Sequence, residues 1–238
     1  MTDERWYKTI KEHVYRTLGN KHSDVSDSKK ALEYYKQYLG IAKDVEDKRL
    51  QGRAYCNLGS VYHSLGDSKT ALEYHQQCLS IAKDVGDKGL QGRAYGDFGD
   101  VYYSLGDLKT AMECYQQCLS IAKEVGDKGL QGQTCGNLGS VYRSLGDLKT
   151  AIEYHQQCLS IAQDVGDKQE QARAYCNLGL VYSRQGELTT ALEYYQQFLS
   201  ISKDAGDKHR QGLAYLTLAY FTTISKTCQK PKIVSNPV

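Results

Sequence analysis

The chain repeats itself every 40 residues, and this periodicity limits what it can fold into more than any other feature. Residues 51–90 read QGRAYCNLGSVYHSLGDSKTALEYHQQCLSIAKDVGDKGL. Residues 91–130 match them at 30 of 40 positions, and residues 131–170 also match at 30 of 40. Residues 11–50 and 171–210 are more diverged copies in the same register, and a half copy follows over 211–224. Five copies and a half with no linker between them are read as one quasi-one-dimensional array, 11–224, in which each unit buries its apolar face on its neighbours. Residues 1–10 are read as an N-terminal capping segment, and the Lys/Thr-rich, proline-ended stretch 225–238 as a disordered tail.

Each copy resolves into two helices. Tyr55, Leu58, Gly59 and Tyr62 fall at spacings of three and four and form one stripe of a helix over Arg53–Leu65. Gly66 suits a left-handed cap, and Asp67 can accept backbone N–H bonds from the next helix. That second helix, Ser68 to about Val85, carries Ala71, Leu72, His75, Cys78, Leu79 and Ala82 on its inner side. At 1.5 Å per residue the two are roughly 20 and 27 Å long. Gly19, Gly59, Gly99, Gly139 and Gly179 recur mid-helix, each costing up to about 1 kcal/mol against Ala. Such strict recurrence points to close packing, with Ala31, Ala71, Ala111, Ala151 and Ala191 opposite.

Composition agrees with an all-α chain and removes several functions. Both prolines, Pro231 and Pro237, lie at the extreme C-terminus, and 20 of the 24 aromatic residues are Tyr. The 30 Lys and Arg face 28 Asp and Glu, a net charge of +2, so no bulk field favours nucleic acid. Apolar runs are too short for a bilayer, and Met1-Thr2-Asp3-Glu4 does not open a secretory signal. The eight cysteines are read as reduced thiols of a cytoplasmic protein, since the chain is too long and too rich in core for a disulfide scaffold.

Tyr55, Leu58-Gly59, Tyr62, Gly66-Asp67, Ala71 and Cys78, with their counterparts every 40 residues, resemble the tetratricopeptide repeat (TPR) family across 11–224. The family pattern is about 34 residues with a closing proline. Here the proline is absent and the second helix and turn are read as the longer part. The 40-residue form is most similar to the Pins/LGN group and to tetratricopeptide repeat protein 28-like arrays. The resemblance implies an α-α superhelix of stacked antiparallel helix pairs, and an extended partner segment held in a groove lined by the first helices.

The groove positions of the first full copy are then Arg53, Cys56, Asn57, Ser60, His63 and Ser64. Spacing supports this separately: Arg53, Asn57, Ser60 and Ser64 make a polar stripe apart from the apolar one. The stripe recurs as Arg93, Asp97, Asp100 and Tyr103, as Gln133, Asn137, Ser140 and Arg143, and as Arg173, Asn177, Leu180 and Arg184. Asn offers a peptide backbone both donor and acceptor, and Arg offers a fork for carboxylates. Six positions in 40 should collect three of the 20 differences counted above, yet these collect seven. Exposed positions that simply drift give the same excess. The expected ligand is a mixed-charge segment, acidic toward Arg143 and Arg184, with Asp97 and Asp100 repelling acids in mid-groove.

No cofactor or metal site is expected, because Cys-x-x-Cys never occurs and Cys78, Cys118 and Cys158 occupy a small apolar position of the repeat. Gly-rich stretches such as 92–99 lack the ending of a phosphate loop, and no nucleophile–base set breaks the repeat, so the chain is read as non-enzymatic. The alternative reading is a self-assembling module. The last helix is apolar on more than one side, and Leu216, Tyr220 and Phe221 are its candidate contacts with another subunit. Partners are therefore a protein segment or a second copy, with no nucleic acid and no membrane.

Overall fold

The computed structural model describes residues 11–21 and 27–228, and side chains as far as residue 223. The capping segment 1–10 and tail residues 229–238 lie outside that range. Every described element is helical. The helices are α1 (11–21), α2 (Ser28–Asp44), α3 (Lys48–Ser64), α4 (Ser68–Asp84), α5 (Lys88–Ser104), α6 (Leu108–Glu124), α7 (Lys128–Leu145), α8 (Leu148–Asp164), α9 (Lys168–Gln185), α10 (Leu188–Asp204) and α11 (Lys208–Cys228). The all-α fold of successive helix pairs is the one expected. The last helix runs four residues past the expected array limit of 224.

The chain divides into two compact units, Met1–Leu130 and Gln131–Val238, at the boundary between the third and fourth copies. In the first unit, α2 packs on α3, α3 on α4, α4 on α5 and α5 on α6. In the second, α8 packs on α9, α9 on α10 and α10 on α11.

The extra residues of the 40-residue period do not sit where the sequence suggested. Helices α3 and α4 both have 17 residues, about 26 Å each, and from α2 onward only two or three residues separate one helix from the next. The first helix starts at Lys48 rather than Arg53, because Asp47 caps it by accepting the Leu50 N–H at 3.1 Å. The turn itself is uniform. Gly66 takes φ 81°, which a Cβ would resist, and the Asp67 N–H bonds back to the Tyr62 carbonyl at 3.0 Å. Asp67 then accepts the Thr70 N–H at 3.1 Å to start α4.

Mid-helix glycine is a packing device, but what it receives differs from the expectation. A Cβ built on Gly59 would stand 2.5 Å from His75 Cε1, and one on Gly179 would stand 2.5 Å from Tyr195 Cε1. The partner is thus the ring four residues beyond the repeated alanine, with Ala71 and Ala191 fully buried beside it. Tyr55 and Tyr62, expected in the core, are only half-buried and pack against Tyr74 at centroid distances of 6.0 and 5.3 Å. The recurring tyrosines so form an aromatic edge outside the glycine–ring core.

A second joint escaped the sequence reading. Gln91 is buried and donates its Nε2 to the Ala82 carbonyl at 3.0 Å, a second bond to an acceptor that also takes the Asp87 N–H at 2.9 Å. Gln51 does the same to Ala42 at 3.2 Å, Gln171 to Ala162 at 3.0 Å and Gln211 to Ser202 at 3.1 Å. The signal was available, since a Gln opens each of these copies at 40-residue spacing.

Candidate functional site

In the first unit, α3 and α5 carry the expected stripe. Arg53, Ser60, Ser64 and Arg93 are exposed, while Asn57, His63 and Tyr103 are half-buried at its edge. His63 on α3 pairs its Nε2 with Ser104 Oγ on α5 at 2.9 Å, so neighbouring copies are linked across the face. Ser60 and Ser64 return their hydroxyls to the Cys56 and Ser60 carbonyls, at 3.1 and 3.0 Å.

Three positions of this face differ from the expectation. Cys56 points inward and is only 1% exposed. Asp100 accepts a short hydrogen bond from the Tyr115 hydroxyl at 2.6 Å. Asp97 keeps 21% of its side chain exposed and turns its Oδ2 toward Cys56 Sγ, 3.1 Å away, and His75 Nδ1, 3.7 Å away. Burial pushes the Asp97 carboxyl up to about 7 and the His75 imidazole down to about 4. The hydrogen bond with Cys78 and burial raise the Cys56 thiol. Neither aspartate is a freely solvated acid of the face. Sequence spacing could not show this, because Cys56, His75 and Asp97 come from three helices of two copies.

In the second unit, α7 and α9 carry the stripe. Gln133 and Arg184 are exposed, and Asn137, Arg143, Arg173 and Asn177 are half-buried. Arg173 reaches back one copy, donating Nη1 to Asn137 Oδ1 at 3.0 Å and Nη2 to the Gln133 carbonyl at 3.1 Å, and it pairs with Glu170. Gly136 makes that reach possible, since a Cβ there would stand 2.6 Å from Arg173 Nη2. Arg184 Nη1 donates to the Arg143 carbonyl at 2.9 Å, while the buried Nε of Arg143 has no hydrogen-bond partner. His155, held against Gly139 as His75 is against Gly59, is fully buried with both ring nitrogens unpartnered. Burial first, and then the charges of Arg143 and Arg173, push it down to about 3.

At the C-terminal end, Leu216 is 72% and Tyr220 63% exposed, with Leu213 and Tyr215 exposed beside them. Phe221 instead turns inward onto Tyr195, ring centroids 5.1 Å apart. Seven described cysteines are free thiols, and no helix among the described residues is long and apolar enough to cross a membrane.

Comparison with known proteins agrees with this architecture. No curated protein matches the sequence. In fold, the chain is similar to aspartyl phosphate phosphatase F from Bacillus subtilis, with TM-score 0.75, 16% identity, and coverage of 95% of this chain and 62% of that one. It is similar to BtubC (BKLC) from P. vanneervenii, with TM-score 0.68, 21% identity, and coverage of 82% and 81%. It is also similar to a Rap protein complexed with competence and sporulation factor, with TM-score 0.75, 16% identity, and coverage of 91% and 66%. The family model described as tetratricopeptide repeat matches residues 50–124 and 132–204, more than half of the sequence. The chain belongs to the tetratricopeptide repeat family.

Proposed function

We propose that this chain is a non-enzymatic interaction scaffold whose first-helix face holds an extended segment of a partner protein. The observation that carries the reading is the charge on the second unit's face. Arg143, Arg173 and Arg184 stand there with Glu170 paired to Arg173, and the Arg143 Nε has no partner. The exposed Arg184 and the half-buried Arg143 next to it favour a partner carboxylate, so the segment is acidic where it meets them. Asn137 and Asn177 offer backbone contacts beside them. In the first unit, the inward turn of Asp97 and Asp100 leaves Arg53 and Arg93 as the exposed charges of the face, which removes the mid-face repulsion expected from sequence. The Rap protein with competence and sporulation factor supports a partner-holding role for this fold.

Fluorescence polarisation with a library of labelled acidic, mixed and basic peptides tests this. The expected result is preference for peptides with clustered Glu or Asp, and at least a tenfold loss for Arg143→Ala with Arg184→Ala. Preference for uniformly basic peptides, or unchanged binding by the double variant, overturns it.

The exposed Leu213, Tyr215, Leu216 and Tyr220 favour a second reading, a contact between copies through α11. Light scattering behind size exclusion decides it. An oligomer that Leu216→Ser with Tyr220→Ser converts to monomer supports the contact, and a dilute monomer rules it out. Phe221 is excluded from the test because its ring serves the intrachain stack on Tyr195.

A further inference from the structure

Beneath the first unit's face, Cys56 of α3, His75 of α4 and Asp97 of α5 bring a thiol, an imidazole nitrogen and a carboxylate oxygen within 4.8 Å of one another. From this geometry we infer that the joint of the second and third copies holds a zinc ion, bound by Cys56 Sγ, His75 Nδ1 and Asp97 Oδ2.

The donor set is the first reason. Thiolate, imidazole and carboxylate together suit Zn²⁺, and three protein ligands leave a fourth position for water or a partner. With Zn–S near 2.3 Å and Zn–N and Zn–O near 2.0–2.2 Å, tetrahedral ligands stand about 3.3–3.6 Å apart. The Sγ–Oδ2 separation of 3.1 Å and the Nδ1–Oδ2 separation of 3.7 Å bracket that range, so small side-chain shifts complete the site.

An unsatisfied atom is the second reason. His75 is 1% exposed, and its Nδ1 points at Asp97 without a hydrogen-bond partner. A buried ring nitrogen left so is costly, and a metal ion takes up its lone pair. Binding releases the Cys56 thiol proton, and any proton on Asp97, to solvent. The thiolate and carboxylate then cancel the two charges of the ion, leaving a neutral buried cluster. Cys78 Sγ, 2.9 Å from Cys56 Sγ, is placed to hydrogen-bond the thiolate once its proton has left. The exposed 21% of Asp97 gives the ion an entry from the face.

The array supplies its own comparison. At the three corresponding positions, the third taken from the copy that follows, the set that starts in the first copy is Arg16, Tyr35 and Asn57; that of the third is Gly96, Tyr115 and Asn137; that of the fourth is Gly136, His155 and Asn177; that of the fifth is Cys176, Tyr195 and Thr217. Only the set that starts in the second copy carries all three donors, and Asp97 is the only acid at its position. An Asn at that position would contribute no charge to the site.

The same comparison yields substitutions that other copies already accommodate: Asp97→Asn, His75→Tyr and Cys56→Gly. Chelator-treated full chain, kept reduced by a phosphine, is titrated with Co²⁺ and then with Zn²⁺. The expected result is one tetrahedral cobalt per chain, seen as thiolate charge-transfer and intense visible bands, displaced by zinc. Zinc should also raise the melting temperature. Each of the three substitutions should weaken binding at least tenfold while circular dichroism keeps the helical signal, and His155→Tyr should leave binding unchanged. Absence of the thiolate band, or cobalt binding of unchanged affinity in Asp97→Asn or His75→Tyr, overturns the assignment. The outcome does not depend on the peptide-binding reading, since neither Arg143 nor Arg184 takes part.

Discussion

The second and fourth copies place a buried histidine in the same cage and surround it with different chemistry. A Cβ on Gly59 would stand 2.5 Å from His75 Cε1, and one on Gly139 would stand 2.6 Å from His155 Cε1. Around His75 stand a thiol and a carboxylate, whereas around His155 the matching positions are Gly136 and Asn177. The space vacated at Gly136 receives the Arg173 guanidinium, which Glu170 neutralises and Asn137 and Gln133 anchor. The comparison separates two layers of the repeat. Glycine, ring and alanine set the spacing of the helices. The positions just outside them are left to vary and decide what each copy can bind.

The largest expected effect comes from breaking the shared layer. Gly139→Val should cost about 3 kcal/mol by urea unfolding, because the buried His155 ring has nowhere to move. Gly40→Ala is its counterpart, with nothing within 4 Å of a Cβ there, and should add about 1 kcal/mol of stability. If the two changes cost the same, packing does not explain the recurring glycines.

Next in size is the replacement of His155 by the Tyr that other copies use. His155 is held near 3 against an ordinary value of 6.5, by burial and then by Arg143 and Arg173. The unfolded chain therefore takes up the proton first as pH falls. The stability is intact above about 6.5 and erodes progressively as pH drops toward about 3. His155→Tyr should flatten that acid limb. Melting curves from pH 7 to pH 4 that stay parallel for the two proteins would count against the burial argument.

A smaller effect tests the varied layer. Glu170→Leu restores the residue type of Leu90 and removes the carboxylate from Arg173. A loss of about 1 kcal/mol is expected for this partly buried pair, read by thermal unfolding at neutral pH. The smallest concerns capping. The Glu187 N-cap side chain accepts only from the Thr190 hydroxyl, at 3.4 Å, and no helix N–H, whereas Asp147 accepts the Thr150 N–H at 3.1 Å. Glu187→Asp should gain a few tenths to about 1 kcal/mol.

What the sequence made legible follows the same division. Period, helix pairs and packing glycines could be read because each recurs at fixed register, and repetition is itself the signal. The start of α3 at Lys48 could not, because Gly52 looks unlike a helix residue until its packing is visible. Gly52 lies under Leu90 and Ile81, where a Cβ would stand 2.7 Å from Leu90 Cδ2. The inward turn of Cys56 was equally hidden, since it shares its helix with exposed Arg53 and Ser60 and differs from them by a rotation. Pairs such as Arg173 with Asn137 join residues 36 positions apart, and helical periodicity carries no information at that range.

The short turns impose a counting rule on the gene. One codon inserted between Ser64 and Ser68 would shift α4 and the helices after it relative to α3. His75 would leave Gly59, and Ser104 would leave His63. An array jointed this tightly cannot absorb small insertions, so its length changes most safely by whole copies. Duplication of a 40-residue segment preserves every joint, and the match of residues 51–90 to each of the next two copies at 30 of 40 positions is the trace such a history would leave.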